Sequence, residues 1–181
     1  NARLVIAADG AASPLREMAG IGASGRDYGQ RAIVAHVTTE RAHEATAWQR
    51  FTSEGPLAFL PLADGRSSIV WSVPDAEAER LLALDDDAFR AELGCAFDFR
   101  LGPILSTTPR ASFPLKLKLA ERYIAPRFAL IGDAAHQVHP LAGQGVNLGF
   151  RDVATLVEAI VATRTRGGDF AAESTLRRYE R

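Results

Sequence analysis

The stretch that most constrains this chain is Leu130-Ile131-Gly132-Asp133-Ala134-Ala135-His136, with Pro140-Leu141-Ala142-Gly143-Gln144-Gly145-Val146-Asn147 close behind. A short apolar run ends on a glycine and a carboxylate, and a glycine-rich turn comes next. Val146 to Thr163 then reads as a long helix with Phe150, Val153, Leu156, Val157, Ile160 and Val161 on one apolar face. Strand, carboxylate, glycine turn and helix start, in that order, are parts of an α/β unit, where ligands sit beyond the carboxyl ends of the strands. A shorter version opens the chain. Leu4 to Ala8 reads as a buried strand ending at Asp9-Gly10, and Ser13-Pro14 reads as the cap and first residue of a helix that Gly20 and Gly22 stop.

Between these two units the texture changes. Arg31 to Thr38, Thr46 to Thr52, Leu57 to Leu62 and Ser67 to Val73 are β-branched, aromatic or alternating, and Ala63-Asp64-Gly65-Arg66 makes a hairpin turn between the last two. Pro61 fits an edge or a bulge. Asp75 to Leu84 and Asp86 to Phe97 read as helices, with Asp85, Asp86 and Asp87 as a solvated helix start. Ile104 to Leu119 returns to strand texture, broken at Pro109 and Pro114, and Ser174 opens a final helix. The expected organisation is a split outer domain, residues 1–26 and 114–181, with an antiparallel-sheet domain, residues 27–113, inserted into it.

Composition sets limits on function. The formal net charge of −1 gives no electrostatic case for nucleic acid or an anionic membrane surface. A single cysteine, Cys95, excludes an internal disulfide. No apolar run is long enough to span a membrane, and no signal peptide is visible.

Asp133 taken alone is a turn or cap aspartate more readily than a ligand. The glycines after it favour the ligand. Gly143, Gly145 and Gly149 allow close approach of a flat ring or of a neighbouring helix, and the helix start near Gly145 offers free N–H groups and a positive dipole end to an anion. A reduced flavin carries negative charge at its N1–C2=O edge and suits that place. Asp9-Gly10, with Ser13 and Arg16, is either a turn into a capped helix or the second wall of the same groove, where Arg16 meets a phosphate or an acidic side chain. Asp133, His136 and His139 are spaced like metal ligands, but zinc needs three or four ligands in a set geometry and no further set is present, so no metal is assigned. No Gly-x-Ser-x-Gly elbow is present. Trp48, Phe51, Phe59 and Trp71 are sheet aromatics, suited to a core or to an apolar pocket for an aromatic substrate.

At these residues the chain resembles a known family. Ala8-Asp9-Gly10-Ala11-Ala12-Ser13-Pro14-Leu15-Arg16 looks like the Asp-Gly motif of flavin-dependent aromatic hydroxylases, and Leu130 to Asn147 looks like their Gly-Asp motif and flavin loop. Gly55 to Leu62 and the run Gly143 to Asp152 look most like the ubiquinone-biosynthesis hydroxylases, of the 2-polyprenyl-6-methoxyphenol hydroxylase type.

The resemblance implies a mixed α/β, para-hydroxybenzoate-hydroxylase-like fold: part of a Rossmann-like FAD-binding domain with an inserted antiparallel-sheet substrate domain. It implies an FAD-dependent monooxygenase in which NAD(P)H reduces FAD and O2 is spent on hydroxylating a phenol, expected to be polyprenylated, in ubiquinone biosynthesis. By the same resemblance Asp133 meets the ribityl or pyrophosphate region of FAD, and Gly143, Gln144, Gly145, Val146 and Asn147 meet the pyrimidine edge. Pro140 lies near the oxygen chemistry as the catalytic-site residue. Asp9, Gly10 and Arg16 line the cofactor groove and the nicotinamide path. Trp48, Phe59, Trp71 and His139 are the candidate substrate pocket.

The family opens on a Gly-x-Gly-x-x-Gly strand and turn that this chain does not contain. The expectation is therefore a C-terminal fragment, inactive alone and binding FAD weakly or not at all. A cytoplasmic location, peripheral to the inner membrane, is expected from the insolubility of such a substrate. Association with a quinone-synthesis complex and self-pairing through an open sheet edge are further expectations. The competing readings are another flavin-dependent oxidoreductase on this scaffold, a halogenase or a dehydrogenase, and a non-catalytic assembly module. Lys116 and Lys118 sit in a strand and do not suggest a halogenase tunnel lysine.

Overall fold

The computed structural model describes residues 2–139 and 144–181. In chain order, β1 (Val5–Ala7) and α1 (Pro14–Met18) lead into β2 (Ala23–Thr39). Next come β3 (Trp48–Phe51), β4 (Pro56–Pro61), β5 (Ser67–Pro74), α2 (Asp75–Ala83), α3 (Asp86–Ala96) and β6 (Ile104–Thr107). Then β7 (Ala111–Ala120), β8 (Ile124–Ala125), β9 (Phe128–Leu130), β10 (His136–Gln137), α4 (Gln144–Thr165) and α5 (Glu173–Glu180) complete the fold. This mixed α/β content is the expected one. The chain divides into two compact units, Asn1–Arg26 with Lys116–Arg181, and Asp27–Leu115. The second division falls at 115/116, where the sequence pattern suggested 113/114.

In the unit Asp27–Leu115, β2, β5, β4 and β3 pair antiparallel in that order, and β6 adds to β2. Strand alternation sends Ile33, Ala35, Val37, Leu57, Phe59, Ile69, Trp71 and Val73 to one face. There they pack on Ala78, Leu81, Phe89 and Leu93 of α2 and α3. Each large apolar side chain so buried stabilises by about 2 kcal/mol. The start of α3 is capped by Asp85, which accepts from the Ala88 amide at 2.8 Å. Pro61 ends β4 opposite Ser67, beyond the last residue that β3 pairs. Pro114 does not break its strand as expected. It lies inside β7 where β10, which pairs only with Lys118 and Leu119, leaves that edge open.

In the other unit, β1 and β9 are parallel neighbours, and β8 lies antiparallel on the far side of β9. β9 is buried along its whole length. β1 is not the buried strand that its apolar run suggested. It is the outer strand, and Val5 and Ile6 are 42% and 44% exposed. The long helix α4 also differs from expectation. Leu156 packs on Ile124, Ala129, Leu176 and Tyr179 with Ile160 half-buried beside it as expected, and Ala159 is also buried, while Val146, Phe150, Val153, Val157 and Val161 are exposed. The buried and half-buried set Gly145, Gly149, Asp152, Leu156, Ala159 steps by four and three residues, so it is a true helix face. Most of the expected apolar face lies just one residue further round the helix. The inner stripe was hard to see because small residues and a carboxylate carry no hydrophobic signal.

Candidate functional site

β1 and β9 run parallel with Ala7 opposite Leu130. Asp9 and Asp133, just beyond those residues, therefore leave the same end of the sheet. Their surroundings differ.

Asp9 is absorbed locally. Its Oδ1 accepts from the Ser13 hydroxyl at 2.5 Å and its Oδ2 from the Leu15 amide at 3.1 Å. Ser13 in turn caps α1 by accepting from the Arg16 amide. The Ser13 hydroxyl, helped by the Leu15 amide and the Arg16 charge, holds the Asp9 carboxyl below its usual value. Arg16 is 2% exposed and donates to the carbonyls of Ala134, at 2.9 Å, and Ala11, at 3.2 Å. Its guanidinium is thus bonded to backbone, where the sequence suggested a phosphate or an acidic partner. Lys118 also donates to the Ala11 carbonyl, at 3.0 Å, so the segment after Gly10 is tied to β7 as well.

Asp133 stands in a 3-10 turn, Gly132–Ala134, directly after β9. Gly132 has φ +59°, a conformation that glycine takes without a Cβ clash. The carboxylate of Asp133 is exposed and accepts no hydrogen bond among the described residues. The backbone around it is held closely. Tyr179 of α5 donates its hydroxyl to the Leu130 carbonyl at 2.6 Å. Asp152 of α4 accepts from the Gly132 amide at 2.7 Å. Arg16 of α1 donates to the Ala134 carbonyl. Side chains from three helices thus fix alternate peptide groups at 130, 132 and 134, and only the Asp133 side chain is left outward. Burial, then the nearby Asp152 charge, pushes the hydroxyls of Tyr179 and Tyr123 to higher pKa, so both stay protonated at neutral pH.

α4 meets this turn closely. A Cβ on Gly149 would lie 3.4 Å from the Gly132 Cα, in ordinary contact, so the helix packs on the turn at this point. Gly145, one helical turn earlier and about 6 Å along the axis, faces open space: a Cβ there would meet nothing within 4 Å. Gln144, Val146 and Asn147 of the same first turn are exposed, and no acidic residue stands in that turn to neutralise its amides. The geometry thus brings Asp133, Gly145 and the first-turn residues to one end of one unit. Those residues fit an anionic, polyhydroxylated group such as FAD: an exposed carboxylate for hydroxyls, and a helix start with no acidic residue in its first turn for negative charge. Pro140 and Gly143, also expected here, lie outside the described residues. His139 is half-buried, and burial lowers its pKa.

The expected aromatic pocket is core instead. Phe59 and Trp71 lie in the core beneath α2 and α3. Phe59 stacks on Phe97 at 3.9 Å, and Trp71 meets Phe89 at 6.3 Å. Trp48 packs at the edge of that core, with Arg100 over its ring. The opposite face of the same sheet, with Val34, Ala58 and Val70 only partly covered, is the more open one. Sequence reasoning gave no role to Asp152 or Tyr179, and weighed His136 only as a metal ligand. The signal for Asp152 was its place seven residues after Gly145 and three after Gly149, on one helix face. Among the described residues no group of His, Cys, Asp and Glu is arranged to hold a metal.

The FAD binding domain family matches residues 1–181. The chain belongs to that family. Ubiquinone hydroxylase UbiL of Rhodospirillum rubrum is 48% identical over 180 residues, covering 99% of this chain and 42% of that protein. The 3-demethoxyubiquinol 3-hydroxylase of Escherichia coli is 44% identical over 182 residues, covering 99% of this chain and 46% of that protein. This member of the FAD-binding family therefore spans less than half the length of those curated relatives. The solved structure of PqsL from Pseudomonas aeruginosa, described as a probable FAD-dependent monooxygenase, matches at 26% identity with a TM-score of 0.76. That match covers 98% of this chain and 50% of PqsL. The fold class is thus the para-hydroxybenzoate-hydroxylase-like one that the family resemblance implies.

Proposed function

We propose that this chain is the part of an FAD-dependent aromatic hydroxylase that grips the flavin, and that the whole protein hydroxylates a polyprenylated phenol on the way to ubiquinone. The observation that carries the reading is the exposed, backbone-braced Asp133 beside the open first turn of α4, in a chain matched throughout by the FAD-binding family. The relatives named above, both hydroxylases of ubiquinone-type rings, supply the substrate class. When bound, FAD supplies the redox chemistry that links NAD(P)H, O2 and the phenol.

The residues of this chain do the rest. Asp133 accepts hydrogen bonds from the ribityl or pyrophosphate region. The amides of the α4 first turn, at Gln144, Gly145, Val146 and Asn147, stabilise negative charge on the pyrimidine edge. Pro140 and Gly143 complete that edge. Asp9 and Gly10 wall the groove, with Arg16 fastening their loop to the Asp133 turn. The residues that meet the phenol come from the open sheet face rather than from Phe59 and Trp71. A water-insoluble substrate places the work at a membrane surface. No helix among the described residues is long and apolar enough to cross a membrane.

The test is an assay of the full-length protein for NAD(P)H oxidation with a short-chain prenylated phenol in air. The expected result is FAD-dependent, phenol-stimulated oxidation with incorporation of one atom of labelled oxygen into the ring. NAD(P)H oxidation that no phenol stimulates, with no labelled ring product, would remove the hydroxylase assignment.

A further inference from the structure

We infer that Asp152 is a positioning residue for the flavin grip: it fixes the distance between Asp133 and the amide end of α4 before any cofactor arrives. This rests on the reading that Asp133 binds FAD.

The Asp152 side chain is 14% exposed, and its Oδ2 accepts from two donors, the Gly132 amide and His136 Nε2, each at 2.7 Å. A carboxylate only accepts, so Nε2 carries the imidazole proton. His136 Nδ1 is buried and without a partner among the described residues. The polar role left to His136 is to donate to Asp152 and pin that carboxylate against the turn. The ring of Tyr123 packs 5.8 Å from the imidazole and closes the pair from the other side.

The placement gives the pair a purpose. Gly132 sits immediately before Asp133, and a glycine peptide in a turn swings easily unless its amide is held. Asp152 holds that amide from the helix whose first turn carries Gly145. Seven residues of α-helix separate Gly145 from Asp152, about 10.5 Å of rigid rod. Asp152 therefore makes one rigid body of the carboxylate that takes the sugar-like part of FAD and the amides that take its ring edge. Ordering both halves in advance removes that cost from binding.

Such a role differs from general support of the fold, because it acts through Asp133. The experiment uses the full-length, deflavinated protein, with FAD affinity read by flavin fluorescence and folding by thermal melting. The variants are Asp133→Ala, Asp152→Asn, Asp152→Ala and the two Asp133/Asp152 double variants. We expect Asp133→Ala to weaken FAD about tenfold or more, and Asp152→Asn about fivefold to tenfold while still melting cooperatively. In the Asp133→Ala background the same Asp152 change should cost less than about twofold, because the residue it positions is gone. Asp152→Asn is the deciding variant, since it keeps the shape and one acceptor oxygen should the alanine fail to fold. Full additivity of the two losses, or wild-type affinity in Asp152→Asn when Asp133→Ala is weakened, overturns the positioning role. Unchanged affinity in Asp133→Ala overturns instead the reading of Asp133 on which it rests.

Discussion

Asp9 and Asp133 occupy equivalent places, each just past a short strand, the two strands lying side by side in parallel. Each leads through a turn into a helix. Yet Asp9 spends its oxygens on Ser13 and Leu15, whereas Asp133 spends none within the described residues. The difference comes from the residues immediately C-terminal to each carboxylate. Ser13-Pro14 places a hydroxyl and a helix start within reach of Asp9, so the acid becomes part of a cap. Ala134-Ala135 offers Asp133 no side-chain donor, and the polar demand of its turn is met from behind by Tyr179, Asp152 and Arg16. A carboxylate freed in this way is available to a ligand, and one that is capped serves the scaffold.

Arg16 joins the two regions, and its removal should have the largest effect on stability. Arg16→Ala would strip a buried donor from the carbonyls of Ala134 and Ala11, for a loss of about 3 kcal/mol by urea unfolding. If Arg16→Ala lost less than about 1 kcal/mol, the two strand ends would not be fastened through it.

Asp133→Ala should show the opposite balance. FAD affinity falls about tenfold or more, while unfolding free energy stays within about 0.5 kcal/mol, because an exposed side chain with no partner among the described residues supports little of the fold. A destabilised variant with normal FAD binding would invert the comparison. Ser13→Ala tests the capped side: it should cost about 1 kcal/mol of stability and leave FAD affinity within about twofold. Calorimetry with and without FAD separates the two classes of outcome.

Much of this contrast was legible in the sequence, and the part that was not has a physical cause. The order strand, carboxylate, glycine turn, helix identified both strand ends, and alternation with a good hairpin turn identified the antiparallel sheet. Phe59 and Trp71 could equally have been pocket or core, because strand periodicity says which residues share a face and not which face a helix will cover. α2 and α3 decided that, and made them core. Asp152 was hidden for a related reason. Its partners are a backbone amide 20 residues away and a histidine 16 residues away, and backbone partners leave no trace in residue types. The exposed stripe of α4 departs from the expected buried face because hydrophobicity alone cannot separate a covered face from its neighbour one residue round the helix.

The smallest expected effect concerns acid. The Ser13 hydroxyl is the first cause holding the Asp9 carboxyl below its usual 3.8. A carboxyl lowered on folding contributes stability above its unfolded value, and that contribution disappears as pH falls through the folded value. Asp9 is open to solvent, so the contribution is slight. Ser13→Ala removes the leading cause, and with it most of the acid-sensitive part of the cap. The stability gap between the wild-type protein and Ser13→Ala should therefore be constant from about pH 7 to 5 and narrow only as pH drops below 3.8. Urea midpoints taken in half-unit steps would show it. A gap that stayed constant below that point would mean that Ser13 caps α1 without help from the charge of Asp9. A gap that narrowed near neutral pH would point to a different titrating group.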